Sequence, residues 1–82
     1  MRYDQSTQKE MLTYLMSLSK RQRQVLKLLA QGWDNHRIAD ELAITEGTVK
    51  NHITTIYMRI NVRTRAEAVA WVWQNRLLEL DE

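Results

Sequence analysis

The sequence predicts an all-α domain of four helices, with a short linker helix as an option ahead of them. Three observations predict it. Apolar residues recur at helical spacing in successive segments, residues that cap helix N-termini stand before those segments, and Gly32 and Asn61 stand where two of them should end. Eighty-two residues make one small domain. A chain of this size buries only about 60% of its unfolded surface, so each buried side chain matters.

Residues 1–8 are polar and aperiodic, and frayed ends are the expectation there. Over 9–17, Met11, Leu12, Leu15 and Met16 fall on one side of a short helix. This segment fits a linker helix from an upstream domain or an N-terminal extension, so residues 1–17 are set apart from a domain over 18–80 and a tail at 81–82. Ser19 and Gln22 form a Ser-x-x-Gln capping box that opens the first helix of the domain. Val25, Leu28 and Leu29 are its expected inner face, with Arg21, Lys27 and Gln31 outward. Gly32 should end it by taking the left-handed conformation, and Trp33 should fold back onto apolar surface.

Asp34 or Asn35 caps a second helix reaching about Leu42, with Ile38, Ala39 and Leu42 inward. Thr45 then caps a third helix, whose apolar stripe is Val49, Ile53, Ile56 and Ile60. Two helices joined by a three- to four-residue turn form a helix-turn-helix. Ala43 and Ile44 occupy this turn, where Gly is common, and the nearest glycine is Gly47 in the next helical turn. Gly47 fits close approach of the backbone to a phosphate or neutral tolerance at a helix start. Asn61 should close the third helix in a left-handed conformation, with Val62 packing back. Thr64 and Glu67 make a second capping box, and the last helix runs from Arg65 to about Leu78.

Charge is uneven along the chain. The total is +2, but residues 20–66 hold nine Lys/Arg against four Asp/Glu. Residues 67–82 are net acidic. A basic middle with an acidic end fits either a polyanion-binding face or an ordinary solvated surface. There is no cysteine, which excludes disulfides, thiolate zinc sites and cysteine nucleophiles. His36 and His52 are far apart and lack a third ligand, so neither a metal nor a cofactor is expected. No long apolar run and no signal-peptide layout occur, so a cytoplasmic setting without membrane contact is the expectation. Glu41, Glu46 and His52 form no recognisable catalytic set, and an enzyme is not expected.

The third helix carries the chemistry. Lys50, Asn51 and Thr54 lie opposite its apolar stripe. Lysine can donate to guanine O6 or N7, asparagine can pair with adenine N6 and N7, and threonine can touch a thymine methyl or donate to an acceptor. Thr45, Thr48 and His52 stand near where a phosphate backbone would pass, although His52 fits equally a half-buried place at the core edge. Lys20, Arg37, Arg59 and Arg63 are candidate phosphate neighbours. The last helix is apolar almost all round, through Ala66, Ala68, Val69, Ala70, Trp71, Val72 and Trp73. A second copy is the expected cover, through Ala68, Val69, Trp71, Val72 and Asn75, unless Trp71 and Trp73 merely close the domain edge.

Taken in order, the segment from Leu18 to Leu26 (Leu-Ser-Lys-Arg-Gln-Arg-Gln-Val-Leu), Ala30-Gln31-Gly32, Asn35 with Ile38-Ala39, Thr48-Val49-Lys50-Asn51-His52 and Arg65-Ala66-Glu67-Ala68 resemble the LuxR/FixJ-type DNA-binding domain. The likeness is to the output domains of NarL-like response regulators in particular and runs over about three-quarters of the chain, residues 18–78. It implies four helices, the third in the major groove and the fourth a dimer contact. It also implies double-stranded DNA as partner, a homodimer, RNA polymerase as a further partner, and a role in transcription regulation. Departures are Gln22 and Gln24 where Glu is common, His36-Arg37 where Lys-Glu is common, and Thr54 where a longer or charged residue is common. Two other readings compete: a sigma-factor region 4-like module, which leaves the apolar fourth helix unexplained, and a protein-interaction module that kept the fold without DNA binding.

Overall fold

The first helix of the domain touches every other one. The computed structural model describes residues 13, 14 and 16–75. Among these, α1 spans Lys20–Ala30, α2 Asn35–Leu42, α3 Glu46–Ile60 and α4 Arg65–Gln74, and no strand occurs. α1 packs against α2, α3 and α4, and α2 also packs against α3. The linker helix and the last turn towards Leu78 fall mostly outside the described residues. Of the former, Thr13, Tyr14 and Met16 are helical, and the Ser17 N–H donates to the Thr13 carbonyl at 3.1 Å.

Serving three neighbours explains why α1 buries more than the expected stripe. Val25, Leu26, Leu29 and Ala30 are buried, while Leu28 is half-buried. Leu26 thus belongs to the core although the simple inner-face reading omitted it. Lys27 is half-buried rather than fully outward. Ile38 and Ala39 of α2, Val49, Ile53, Ile56 and Ile60 of α3, and Ala68, Trp71 and Val72 of α4 complete the core. Burying one such large aliphatic side chain is worth about 1.5–3 kcal/mol.

Helix boundaries follow local hydrogen-bond chemistry. The first capping box is complete: the Gln22 N–H donates to Ser19 Oγ at 3.0 Å, and the Ser19 N–H donates to Gln22 Oε1 at 2.9 Å. Asp34, not Asn35, caps α2, its Oδ1 accepting from the Arg37 N–H at 2.8 Å. Gly32 sits at φ +92° and Asn61 at φ +60°, closing α1 and α3 as their residue types suggest. The box at α4 is only half formed. Thr64 Oγ1 accepts from the Glu67 N–H at 3.1 Å, but the Glu67 carboxylate reaches one residue further back, to the Arg63 N–H at 3.4 Å.

Distant contacts lock the frame. Trp73 Nε1 donates to the Ala30 carbonyl at 2.9 Å, satisfying an otherwise open acceptor at the end of α1. Arg65 donates through Nη1 to Asn35 Oδ1 at 3.0 Å and through Nη2 to the Trp33 carbonyl, joining α4 to the loop between α1 and α2. Arg59 Nη1 donates to the Ser17 carbonyl at 3.0 Å and Arg23 Nη1 to the Leu18 carbonyl at 2.8 Å. These two arginines hold the chain where it enters the domain, with Leu18 buried beneath.

The face of α4 corrects one expectation. Ala68, Trp71 and Val72, read as partner contacts, are buried in the domain's own core. Val69 and Asn75 are half-buried, and Asn75 Nδ2 donates to the Trp71 carbonyl at 2.7 Å. The reason is the small size of the domain: α1 needs a second apolar stripe laid over it, and residues 68, 71 and 72 supply it. The exposed edge of α4 instead carries Ala66, Glu67, Ala70, Trp73 and Gln74.

One strained position follows from the turn. Ala43 lies at φ 55°, in the left-handed region, and is exposed. That conformation costs a residue with a Cβ about 1–2 kcal/mol, and the greater unfolded-state freedom of glycine offsets about 0.5–1 kcal/mol of the relief. Ala43→Gly is therefore expected to stabilise the domain by roughly 0.5–1 kcal/mol. Thermal unfolding should show the midpoint rise by a few degrees, and a fall would contradict the assignment of strain.

Candidate nucleic-acid interface

α3 divides cleanly into two faces. At about 100° per residue, Val49, Ile53, Ile56 and Ile60 cluster on one side, and all four are buried. Lys50, Asn51 and Thr54 fall within an arc of about 100° on the other side, and all three are exposed. Among the described residues, Lys50 and Asn51 have no side-chain partner, so their donors and acceptors are available to a ligand. Thr54 differs: its hydroxyl donates to the Lys50 carbonyl at 3.0 Å. Gly47 and Met58 extend the same exposed stripe at either end.

The N-terminal end of α3 is organised by two threonines. Thr45 Oγ1 accepts from the Thr48 N–H at 3.1 Å and lies 3.0 Å from Thr48 Oγ1. Two hydroxyls share one mutual hydrogen bond, so one hydroxyl proton is left for an external acceptor. Thr45 is exposed and Thr48 half-buried. A Cβ placed on Gly47 would meet only Thr45 Oγ1, at 3.8 Å, which is ordinary contact. The fold itself therefore does not demand glycine there. His52 is half-buried, at the border between the two faces of α3.

Two cations named as phosphate neighbours, Arg37 and Arg59, have partners inside the domain. The Arg37 guanidinium lies 3.7 Å from the centroid of the Trp33 ring, a cation–π contact that uses one face of a half-buried indole. Arg59 holds the Ser17 carbonyl, and Arg65, although never a candidate, ties three segments together. Lys20 and Arg63 are exposed at helix ends.

Sequence reading missed a clasp between α2 and α3. His36 Nδ1 lies 3.1 Å from Glu46 Oε2, in the first turn of α3, and His36 Nε2 lies 3.4 Å from Asp40 Oδ2. The hydrogen bond to Glu46, then the Asp40 charge, raise the His36 pKa above its ordinary 6.5. The i,i+4 spacing to Asp40 was readable, but the partner ten residues away was not. Among the described residues, no group of three or more His, Cys, Asp or Glu could hold a metal ion, and no helix is long and apolar enough to cross a membrane.

The sign of the pH effect is fixed by that direction. A histidine whose folded pKa is raised contributes stability that is fully present below its unfolded value of 6.5 and lost as pH rises through the folded value. An NMR titration of the His36 ring should give a midpoint above 6.5, falling back towards it in Glu46→Gln. An unchanged midpoint in that variant would contradict the clasp.

An all-α domain whose second and third helices form a helix-turn-helix, with a polar stripe outward on the third, is the class that fold and face define. The chain belongs to the luxR family of bacterial regulatory proteins, which matches residues 16–72. It is 45% identical over 60 residues to the nitrate/nitrite response regulator protein NarL of Escherichia coli (strain K12), covering 73% of this chain and 28% of that protein. It is 42% identical over 62 residues to the transcriptional regulatory protein LiaR of Bacillus subtilis (strain 168), covering 76% of this chain and 29% of that one. Among solved structures, that of the response regulator StyR superposes with a TM-score of 0.79 at 40% identity, covering 84% of this chain and 35% of that chain. The chain thus spans less than a third of the length of these curated relatives.

Proposed function

We propose that this domain binds double-stranded DNA with sequence preference, α3 lying in the major groove, and serves transcription regulation. The observation that carries the reading is the exposed, unpartnered pair Lys50 and Asn51 on a helix whose opposite face is fully buried. A major groove admits one α-helix, and these side chains match guanine and adenine edges. Thr45, Thr48 and His52 would lie beside phosphates at the N-terminal end and flank of α3, where helix N–H groups favour negative charge. Close passage of a phosphate would also account for Gly47, since packing does not require it. Family membership and relatives that are response regulators support the same reading. RNA polymerase as a further partner and a cytoplasmic setting go with a regulator of this kind.

Pairing of two copies is part of the proposal, through the exposed edge of α4 rather than its core-filling stripe. Ala66, Ala70 and Trp73, with half-buried Val69, form an apolar stripe at helical spacing. Trp73 remains 57% exposed despite its bond to Ala30, which is a large apolar area for one domain to leave uncovered.

One set of binding titrations tests both parts. Lys50→Ala and Asn51→Ala should each cost about 1–3 kcal/mol on a preferred duplex and little on a scrambled one. On a duplex with two half-sites, Ala70→Glu should weaken cooperative binding while leaving single-site affinity unchanged. Equal affinity of folded variants and parent for the preferred duplex would refute the base-reading assignment. Undiminished cooperativity in Ala70→Glu would refute the α4 contact.

A further inference from the structure

Thr54 sits in the middle of the exposed stripe of α3, yet its polar group is already engaged. A hydroxyl carries one proton, and that proton is held within the helix by the Lys50 carbonyl at 3.0 Å. Guanine and thymine present only acceptors at O6, N7 and O4 in the major groove. Thr54 can donate to none of them without breaking its bond to Lys50. With Oγ1 turned back along the helix, the Cγ2 methyl is the group that the exposed side chain leaves to face a base. Lys50 and Asn51 flank it on the stripe and supply the polar contacts, so an apolar contact between them adds information that they do not carry.

Resting on the DNA-binding reading above, we propose that Thr54 is a specificity-determining residue that selects thymine through its 5-methyl group. The contact is methyl against methyl, and the hydroxyl serves to fix the rotamer rather than to read the base. The same engagement leaves the Thr54 oxygen a lone pair, which adenine N6 or cytosine N4 could approach, and the test separates that mode from methyl reading.

The experiment uses the 82-residue chain and its preferred duplex, with each thymine replaced in turn by deoxyuridine, which removes the methyl and keeps the hydrogen-bonding edge. Loss of one buried methyl corresponds to about fourfold in affinity. The parent should lose about that factor at one thymine per half-site. Thr54→Ser should bind the thymine and uracil duplexes equally at that position, and Thr54→Val, which keeps the methyl but not the hydroxyl, should retain the discrimination. Tolerance of uracil at every position, or a methyl preference that survives in Thr54→Ser, would overturn the inference while leaving sequence-preferring DNA binding intact. Absence of preference for any duplex would overturn the DNA-binding reading and this inference with it.

Discussion

Packing of α1 against all three other helices is the constraint on which the remainder of the domain depends. Val25, Leu26, Leu29 and Ala30 meet α2, α3 and α4, so one eleven-residue helix is the common wall of the core. Because α1 supplies that wall, α3 needs to bury only Val49, Ile53, Ile56 and Ile60 and can leave its opposite side bare. The same demand draws Ala68, Trp71 and Val72 inward from α4. The proposed binding face of α3 and the proposed pairing edge of α4 are thus both what remains exposed once α1 is covered.

The short connections fix where the outward face of α3 points. Ala43 accepts a left-handed conformation so that three residues suffice between α2 and α3, and Thr45 then caps α3 at once. His36 and Glu46 clasp the outer edge of that turn, and Arg65 ties the preceding loop to α4. An exposed ion pair such as His36–Glu46 contributes little to stability, and the Arg65 contacts are hydrogen bonds to neutral acceptors. Their effect is on alignment: they link the start of α3 to elements that do not move with it in sequence.

Local features of this fold were legible in the sequence because helix ends are built from neighbours. Ser19 with Gln22, Thr45, Gly32 and Asn61 each act within four residues of their partners, and all stand at the ends that their chemistry implies. The two-faced character of α3 was equally legible, since period alone separates Lys50, Asn51 and Thr54 from the isoleucine stripe. Contacts spanning ten to 43 residues were not legible: nothing in a periodic pattern pairs His36 with Glu46 or Trp73 with Ala30. α4 defeated the pattern for a different reason. Apolar residues surround it almost completely, so period could not say which stripe faces α1, and Ala68, Trp71 and Val72, expected at a partner contact, lie on the inward one. Residue type leaves Thr54 two roles, touching a thymine methyl or donating to an acceptor, and nothing in the periodic pattern shows that its hydroxyl donates to the Lys50 carbonyl.

The central claim is that the exposed face of α3 is the surface that meets DNA. Amide chemical-shift mapping of the isotope-labelled chain, titrated with its preferred duplex at fixed salt, tests this most directly. The account predicts the largest changes over Thr45 to Thr54, extending towards Met58, with smaller ones at Lys20 and Arg63. Changes concentrated on the exposed edge of α4, with α3 unperturbed, would contradict it and would favour a protein-interaction role for the fold.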